Sequence, residues 1–244
     1  WILCGIFFQA PDKSLVNAGG SAAKSGTPEM KQYTSGEMMR TKNFYLLLAT
    51  MFFGLISYFM VSPVSQTYQI DLGIPSAVAV SAVMLGSIVN AGARLVLPTL
   101  ADKVGRIVCI KGVLIVAVIA MGVLAVSRSL AVTVAVVLMY GCYGGIMGSF
   151  PSLTSSIFGM KHTGENYGFV MFGIVFATFG APAISGLVSS NGYEMNVVFG
   201  IGAVFAVIAF VCLTLLGRNL VKEHAEKSVG AKKGTAQVRK PQAE

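Results

Sequence analysis

Residues 107–126 read IVCIKGVLIVAVIAMGVLAV, twenty positions with a single charge, Lys111, near the start. A helix crossing the hydrocarbon core of a bilayer needs about 20 such residues at 1.5 Å rise each. Working outward, five comparable apolar runs lie near 44–68, 76–100, 130–158, 167–189 and 195–217. The breaks between runs are short and carry turn residues: DLGIP at 71–75, DKVGR at 102–106, SRS at 127–129, KHTGE at 161–165 and SSNGYE at 189–194. Six helices in one bundle are expected, and no strand.

Charge placement supports the same reading. The whole chain of 244 residues is 11% charged, against about 25% for an ordinary soluble domain. The 174 residues from Phe44 to Gly217 hold ten charges: Asp71, Arg94, Asp102, Lys103, Arg106, Lys111, Arg128, Lys161, Glu165 and Glu194. Ten charges cannot solvate a surface of that size, which excludes a water-soluble enzyme. The net charge of +8 divides into +2 within this block and +6 in the flanks, a pattern that points to an anionic bilayer face and away from nucleic acid.

Four segments follow. Residues 1–8, Trp1 to Phe8, are apolar but too few to span, and no basic region precedes them, so they read as the end of a preceding transmembrane helix. Residues 9–43 read as a central loop, flexible from Pro11 to Thr41 in its Gly, Ser, Ala and Lys content. Residues 44–217 form the six-helix bundle, and 218–244 a basic tail with a short helical start followed by disorder. The chain is thus expected to be the C-terminal part of something longer. Cys4, Cys109, Cys142 and Cys212 lie far apart in apolar stretches, without a nearby histidine, and are read as packing residues.

An even number of spans places both flanks on one side. Sixteen bases then share that side, including Lys13, Lys24, Lys31, Arg40, Lys42, Lys103, Arg106, Lys111, Lys161 and seven in the tail, while the other side has Arg128 alone with Asp71 and Glu194. By the positive-inside rule both flanks are expected to be cytoplasmic.

Arg94 is the exception to the sorting. It lies eight residues before Asp102, about 12 Å inside the second span. An arginine at such depth costs at least about 2.5–3.5 kcal/mol to insert and normally faces a cavity or a partner. Ser87 and Asn90 precede it by seven and four residues, on the same helical face. No acid sits in any helix core to neutralise it, so an anionic ligand is the natural counter-ion, and a guanidinium fork fits a carboxylate. The competing reading is that Arg94 snorkels to the headgroups or pairs with a helix carbonyl. Ser57, Ser62 and Gln66 give the first span a roughly common polar face beside Pro63. Tyr140 and Tyr143 begin a glycine-rich stretch, Gly141, Gly144, Gly145, Gly148, with two overlapping G-x-x-x-G spacings. Those glycines serve close helix packing or gating. Pro63, Pro98, Pro151 and Pro182 suggest kinks of the kind found around transport sites.

The stretch Pro98-Thr-Leu-Ala-Asp102-Lys103-Val-Gly105-Arg106 resembles the G-x-L-x-D-R-x-G-R loop of major facilitator transporters, at the place where the C-terminal half of that family joins its second and third helices. Pro98 stands for the first Gly of the pattern and Lys103 for an Arg. In this reading Asp102 caps the next helix and pairs with a base across a cytoplasmic gate, with Gly105 and Arg106 in the turn. Residues 33–45 (YTSGEMMRTKNFY), Asn90 to Arg94, Ile157 to Gly159, Asn166 to Gly168 and Gly180 to Pro182 are similar to the oxalate/formate antiporter-like, monocarboxylate transporter-related branch. That resemblance implies an all-α, multi-pass bundle: the C-terminal six-helix half of a twelve-helix major facilitator fold. It further implies a secondary transporter whose eighth-helix Arg, here Arg94, meets an anionic substrate, and an N-terminal six-helix half as its partner. Oxalate-exchanging members of the branch carry a Lys in helix eleven where Ile174 stands here. One base in this half favours a monocarboxylate over a dianion.

The remaining chemistry is sparse. His162 and His224 lie in a loop and the tail, and no zincin, nucleophile-elbow or P-loop motif occurs. Neither a metal nor a cofactor is expected, and no enzymatic activity. The function expected is alternating-access transport of a small organic anion, with Arg94 as its carboxylate ligand and Asn90, Ser62, Gln66, Tyr140 and Tyr143 lining the cavity. Asp102, Lys103, Gly105 and Arg106 would form the gate. The alternative is a six-helix membrane scaffold, or a receptor-like relic of a transporter, that carries nothing.

Overall fold

The protein enters its first long helix through a capped turn. The hydroxyl of Thr34 accepts from the Glu37 amide at 3.4 Å, and the Glu37 carboxylate accepts from the Thr34 amide at 3.0 Å. This reciprocal cap starts helix α1, Ser35–Met39, inside the stretch expected to be a flexible loop. Thr41 then caps α2, Lys42–Val61. The computed structural model describes residues 31–238, the last fifteen as backbone only; the expected helix end at 1–8 and most of the expected loop lie outside the described residues.

Pro63 does not end the first span. It sits early in a single 3-10 turn, Ser62–Val64, after which the chain resumes as α3, Ser65–Asp71. The proline lacks an amide donor, and the tighter turn absorbs that loss. Then follow α4 (Ser76–Val104), α5 (Arg106–Val126), α6 (Ala131–Phe158), α7 (Thr163–Val170), α8 (Phe172–Ser190) and α9 (Met195–Val238). Six helical segments are long and apolar enough to cross a membrane: Lys42–Asp71, Ser76–Val104, Arg106–Val126, Ala131–Phe158, Thr163–Ser190 and Met195–Glu223. The described residues contain no strand, and the all-α half-bundle architecture expected from the sequence is the one observed. Pro98, Pro151 and Pro182 lie within α4, α6 and α8.

α9 extends past Gly217 into the tail, as far as Val238. The reason is visible in the residues: no proline occurs after Gly217 until Pro241, and Leu, Lys, Glu and Ala supply helix propensity.

The core is built by α2, α5, α6 and α9. Leu47, Met51 and Leu55 from α2 pack with Ile110, Leu114 and Met121 from α5, Ile146 and Phe150 from α6, and Ala209 and Leu213 from α9, all essentially inaccessible. Ser57 belongs to this core. Its hydroxyl donates to the Gly202 carbonyl at 2.8 Å, so it joins α2 to α9 and does not share a face with Ser62 and Gln66. The five-residue step from Ser57 to Ser62 turns the helix by about 140°, which is the reason. Cys109 and Cys142 are buried with their sulfurs 3.5 Å from the Leu97 and Val113 carbonyl oxygens.

Both flanks of the bundle meet at one end. Asn43 donates to Glu223 at 2.9 Å, and the Tyr33 amide donates to the Phe158 carbonyl at 2.9 Å. Asn166, fully buried, donates to the Tyr33 carbonyl at 3.0 Å and accepts from the Ser35 hydroxyl at 3.2 Å. The opposite end is marked by the ion pair of Arg128 with Glu194 at 2.9 Å.

Packing is uneven around the bundle. In the first span 61% of the most apolar stretch is buried, whereas in α4 only 11% is. α4 leans chiefly on α6, and exposes Met84, Leu85, Ile88, Leu95 and Val96.

Candidate functional site

The α4–α6 contact is made by glycine. A β-carbon on Gly144 would run into the backbone carbonyl of Asn90, and one on Gly148 would stand 2.8 Å from the carbonyl oxygen of Arg94. Gly141 leaves 3.0 Å to the Val89 side chain. The two overlapping G-x-x-x-G spacings therefore bring the α6 backbone against the turn of α4 that carries Asn90 and Arg94, the close approach that small residues permit.

On that turn, the Arg94 Nε donates to the Asn90 Oδ1 at 3.1 Å. The guanidinium carbon lies 5.4 Å from the centroid of the Tyr143 ring, within cation–π range. Tyr143 in turn stacks on Tyr58 of α2, with centroids 4.2 Å apart and planes 8° from parallel. Tyr140 meets Tyr58 edge-on at 5.3 Å, and Phe59 meets Tyr143 at 5.9 Å. Ser62 donates to the Tyr58 hydroxyl at 3.3 Å, and the hydroxyls of Ser65 and Tyr140 lie 3.4 Å apart. Arg94, Asn90, Tyr143, Tyr140 and Ser62 thus belong to one connected cluster drawn from α4, α6 and α2.

Gln66 is exposed on α3 and makes no hydrogen bond to this cluster among the described residues. Ser87 is likewise turned back on its own helix, donating to the Val83 carbonyl at 3.0 Å. Tyr58 and Ser65 were missed from sequence. The signal was a pair of hydroxyls four residues apart, Tyr58 and Ser62, in a mainly apolar stretch just before Pro63.

Arg94 is not enclosed by the bundle. It is exposed at the edge of the α4–α6 contact, and no acid pairs with it among the described residues. A guanidinium at mid-span is not left to hydrocarbon. Three supports hold it in place: the Asn90 amide, the Tyr143 ring and the glycine-tight backbone beneath. The arrangement leaves the η-nitrogens for a bidentate partner.

At the flank end, Asp102 occupies the last turn of α4, and Gly105 links α4 to α5 with φ +107°, a value that L side chains rarely adopt. Asp102 does not cap α5, which has no side-chain cap. It accepts from Arg106 at 3.2 Å across one turn of its own loop, the partners being 61% and 34% exposed. Asp102 precedes the turn by three residues and is still helical, so its carboxylate cannot reach back to the first α5 amides. Lys103 is exposed beside it. Ile174 lies on α8, half-buried against the core.

The chain is similar to known transporters. The chain is 26% identical over 189 residues to the oxalate:formate antiporter of Oxalobacter formigenes, a match covering 76% of the chain and 45% of that protein. It is 32% identical over 146 residues to an uncharacterized MFS-type transporter, YhjX, of Escherichia coli strain K12, covering 59% of the chain and 36% of that protein. The chain therefore spans less than half the length of these relatives. The family model described as Major Facilitator Superfamily matches residues 1–179. Six apolar helices and a family match over most of the chain lead to one conclusion: this chain belongs to the major facilitator superfamily, as an integral, multi-pass membrane protein.

Proposed function

We propose that the chain is the C-terminal half of a secondary transporter that moves a small organic anion, a carboxylate, by alternating access, with Arg94 as its ligand for the carboxylate. The observation that carries this reading is the state of Arg94: oriented by Asn90 and Tyr143, without an acid partner among the described residues, and exposed on α4, the span its own bundle buries least. An N-terminal half covering that span would close a cavity around the guanidinium, and rocking of the two halves would open it to each side in turn.

Within this reading the substrate carboxylate docks on the guanidinium by two parallel N–H···O bonds. The stacked Tyr143 and Tyr58 rings form an apolar wall that excludes water and strengthens the charge pairing. Ser62 and Tyr140 supply hydroxyls along the same wall. With Ile174 on α8 and no second base in contact with Arg94 among the described residues, a monocarboxylate is favoured over a dianion; one relative is named an oxalate:formate antiporter. Asp102, Lys103, Gly105 and Arg106 form part of a gate at the flank end, which faces the cytoplasm because the bases gather there.

Uptake of labelled formate, acetate, lactate and oxalate into vesicles holding the full-length protein tests this. Loss of uptake in Arg94→Ala, with normal insertion, supports it. Unchanged uptake removes Arg94 from the mechanism, and tight oxalate binding without monocarboxylate binding overturns the substrate class.

A further inference from the structure

A second base lies within a membrane-spanning helix, and the carboxylate site does not use it. Lys111 is in the second turn of α5, half-buried, with its Nζ 6.0 Å from the centroid of the Phe210 ring on α9. One turn earlier on α5, Ile107 packs on Gly217, where a β-carbon would stand 3.5 Å from the Ile107 side chain. Ile107 with Gly217 and Lys111 with Phe210 define an antiparallel seam between α5 and α9 at the flank end of the bundle.

The outer sides of this seam are apolar and exposed. Val204, Val207, Val211 and Leu215 form a stripe along α9, and Val108, Ile115 and Ile119 one along α5. In a bilayer such stripes face acyl chains. At the flank end the α9 stripe continues at helical spacing into Arg218 and Lys222, both exposed. Lys111 stands at the edge of the α5 stripe. None of these three bases has an ion-pair partner among the described residues. The acids that approach from neighbouring segments are engaged elsewhere: Asp102 accepts from Arg106, and Glu223 accepts from Asn43.

We propose that the α5–α9 seam binds an anionic phospholipid, its phosphate between Lys111 and Arg218, with Lys222 at the rim and its acyl chains along the valine and isoleucine stripes. Unpaired bases at headgroup depth attract anionic headgroups, and basic pockets between membrane helices hold them. The apolar stripes select a lipid over a soluble phosphate, because a free ion gains nothing from them. The site is separate from Arg94 and holds whatever the transported substrate.

Native mass spectrometry of the full-length protein in non-ionic detergent tests the site, with phosphatidylglycerol and phosphatidylcholine of equal chain length as probes. Wild type should retain phosphatidylglycerol in preference, by about fivefold for each base engaged. Lys111→Gln and Arg218→Gln should each reduce the preference, Lys111→Arg should keep it, and Arg128→Gln at the opposite end should leave it unchanged. Equal retention of the two lipids by wild type, or a preference indifferent to both glutamine variants, overturns the proposal. Displacement of the lipid by glycerol phosphate overturns it too, in favour of a soluble phosphate site. If Lys111→Gln does not accumulate, Lys111→Arg and Arg218→Gln decide the matter.

Discussion

Gly144 of α6 lies directly against the backbone carbonyl of Asn90 in α4, with no room between them for a β-carbon. Gly144→Ala must therefore push α4 away, and overpacking of this kind costs about 1–3 kcal/mol. A lower melting temperature in detergent is expected, together with weakened substrate binding, because Asn90 and Arg94 ride on the displaced turn. Gly92→Ala, on the same helix with nothing near its β-carbon position, should leave both unchanged.

The Tyr143 ring supports the Arg94 guanidinium by its face at 5.4 Å. Tyr143→Phe keeps that face and should bind substrate within about twofold of wild type, whereas Tyr143→Leu forfeits a contact worth about 0.5–2 kcal/mol. Substrate-protected thermal shift across the three proteins checks the order. A Phe variant as weak as Leu would assign the work to the hydroxyl.

Asn166 spends both ends of its buried amide on the segment that enters α2, through Tyr33 and Ser35. Asn166→Ala removes its bonds to the Tyr33 carbonyl and the Ser35 hydroxyl, the latter keeping Glu165 at 3.3 Å, at a cost of about 1–3 kcal/mol. Hydrogen exchange should rise selectively at residues 33–39, with α5 unaffected.

Asp102 and Arg106 make an ion pair that is largely open to solvent. Such pairs contribute under about 1 kcal/mol, so Asp102→Asn should barely move the melting temperature. A fall in transport rate in that stable variant would mark a role in gating; no change in either would leave the loop a simple connector.

Orientation is testable with thiol reagents. In a background whose native cysteines are replaced, Lys161→Cys should react only when an impermeant maleimide reaches the cytoplasmic face, and Arg128→Cys only from the other side. The reverse labelling would invert the proposed topology.

Much of this protein could be read from its residues because a bilayer leaves few choices. A run such as 107–126 has no alternative to a helix in hydrocarbon, where each backbone amide must find its partner within the segment. Asn90 and Arg94 stand out for the same reason, since polar atoms at that depth need a partner. Tyr58 was not, because a tyrosine in an apolar helix serves packing as readily as a site, and only the stacking on Tyr143 separates the two. Asp102 was misplaced because the end of α4 depends on where Gly105 turns, a matter of backbone angle that composition does not report. The capped turn at Thr34 was hidden by a surrounding composition typical of linkers, although Thr34 and Glu37 stand at capping-box spacing.

α4 is in effect a cantilever. It is clamped along one side by the glycines of α6 and bare along most of the rest. A beam fixed in this way has no independent rotation: when α6 tilts, the charge at Arg94 sweeps with it, and its excursion is set by the clamp and not by the helix that carries it. The stiffness of the turn that carries Arg94 is thus set by residues that have no side chains at all.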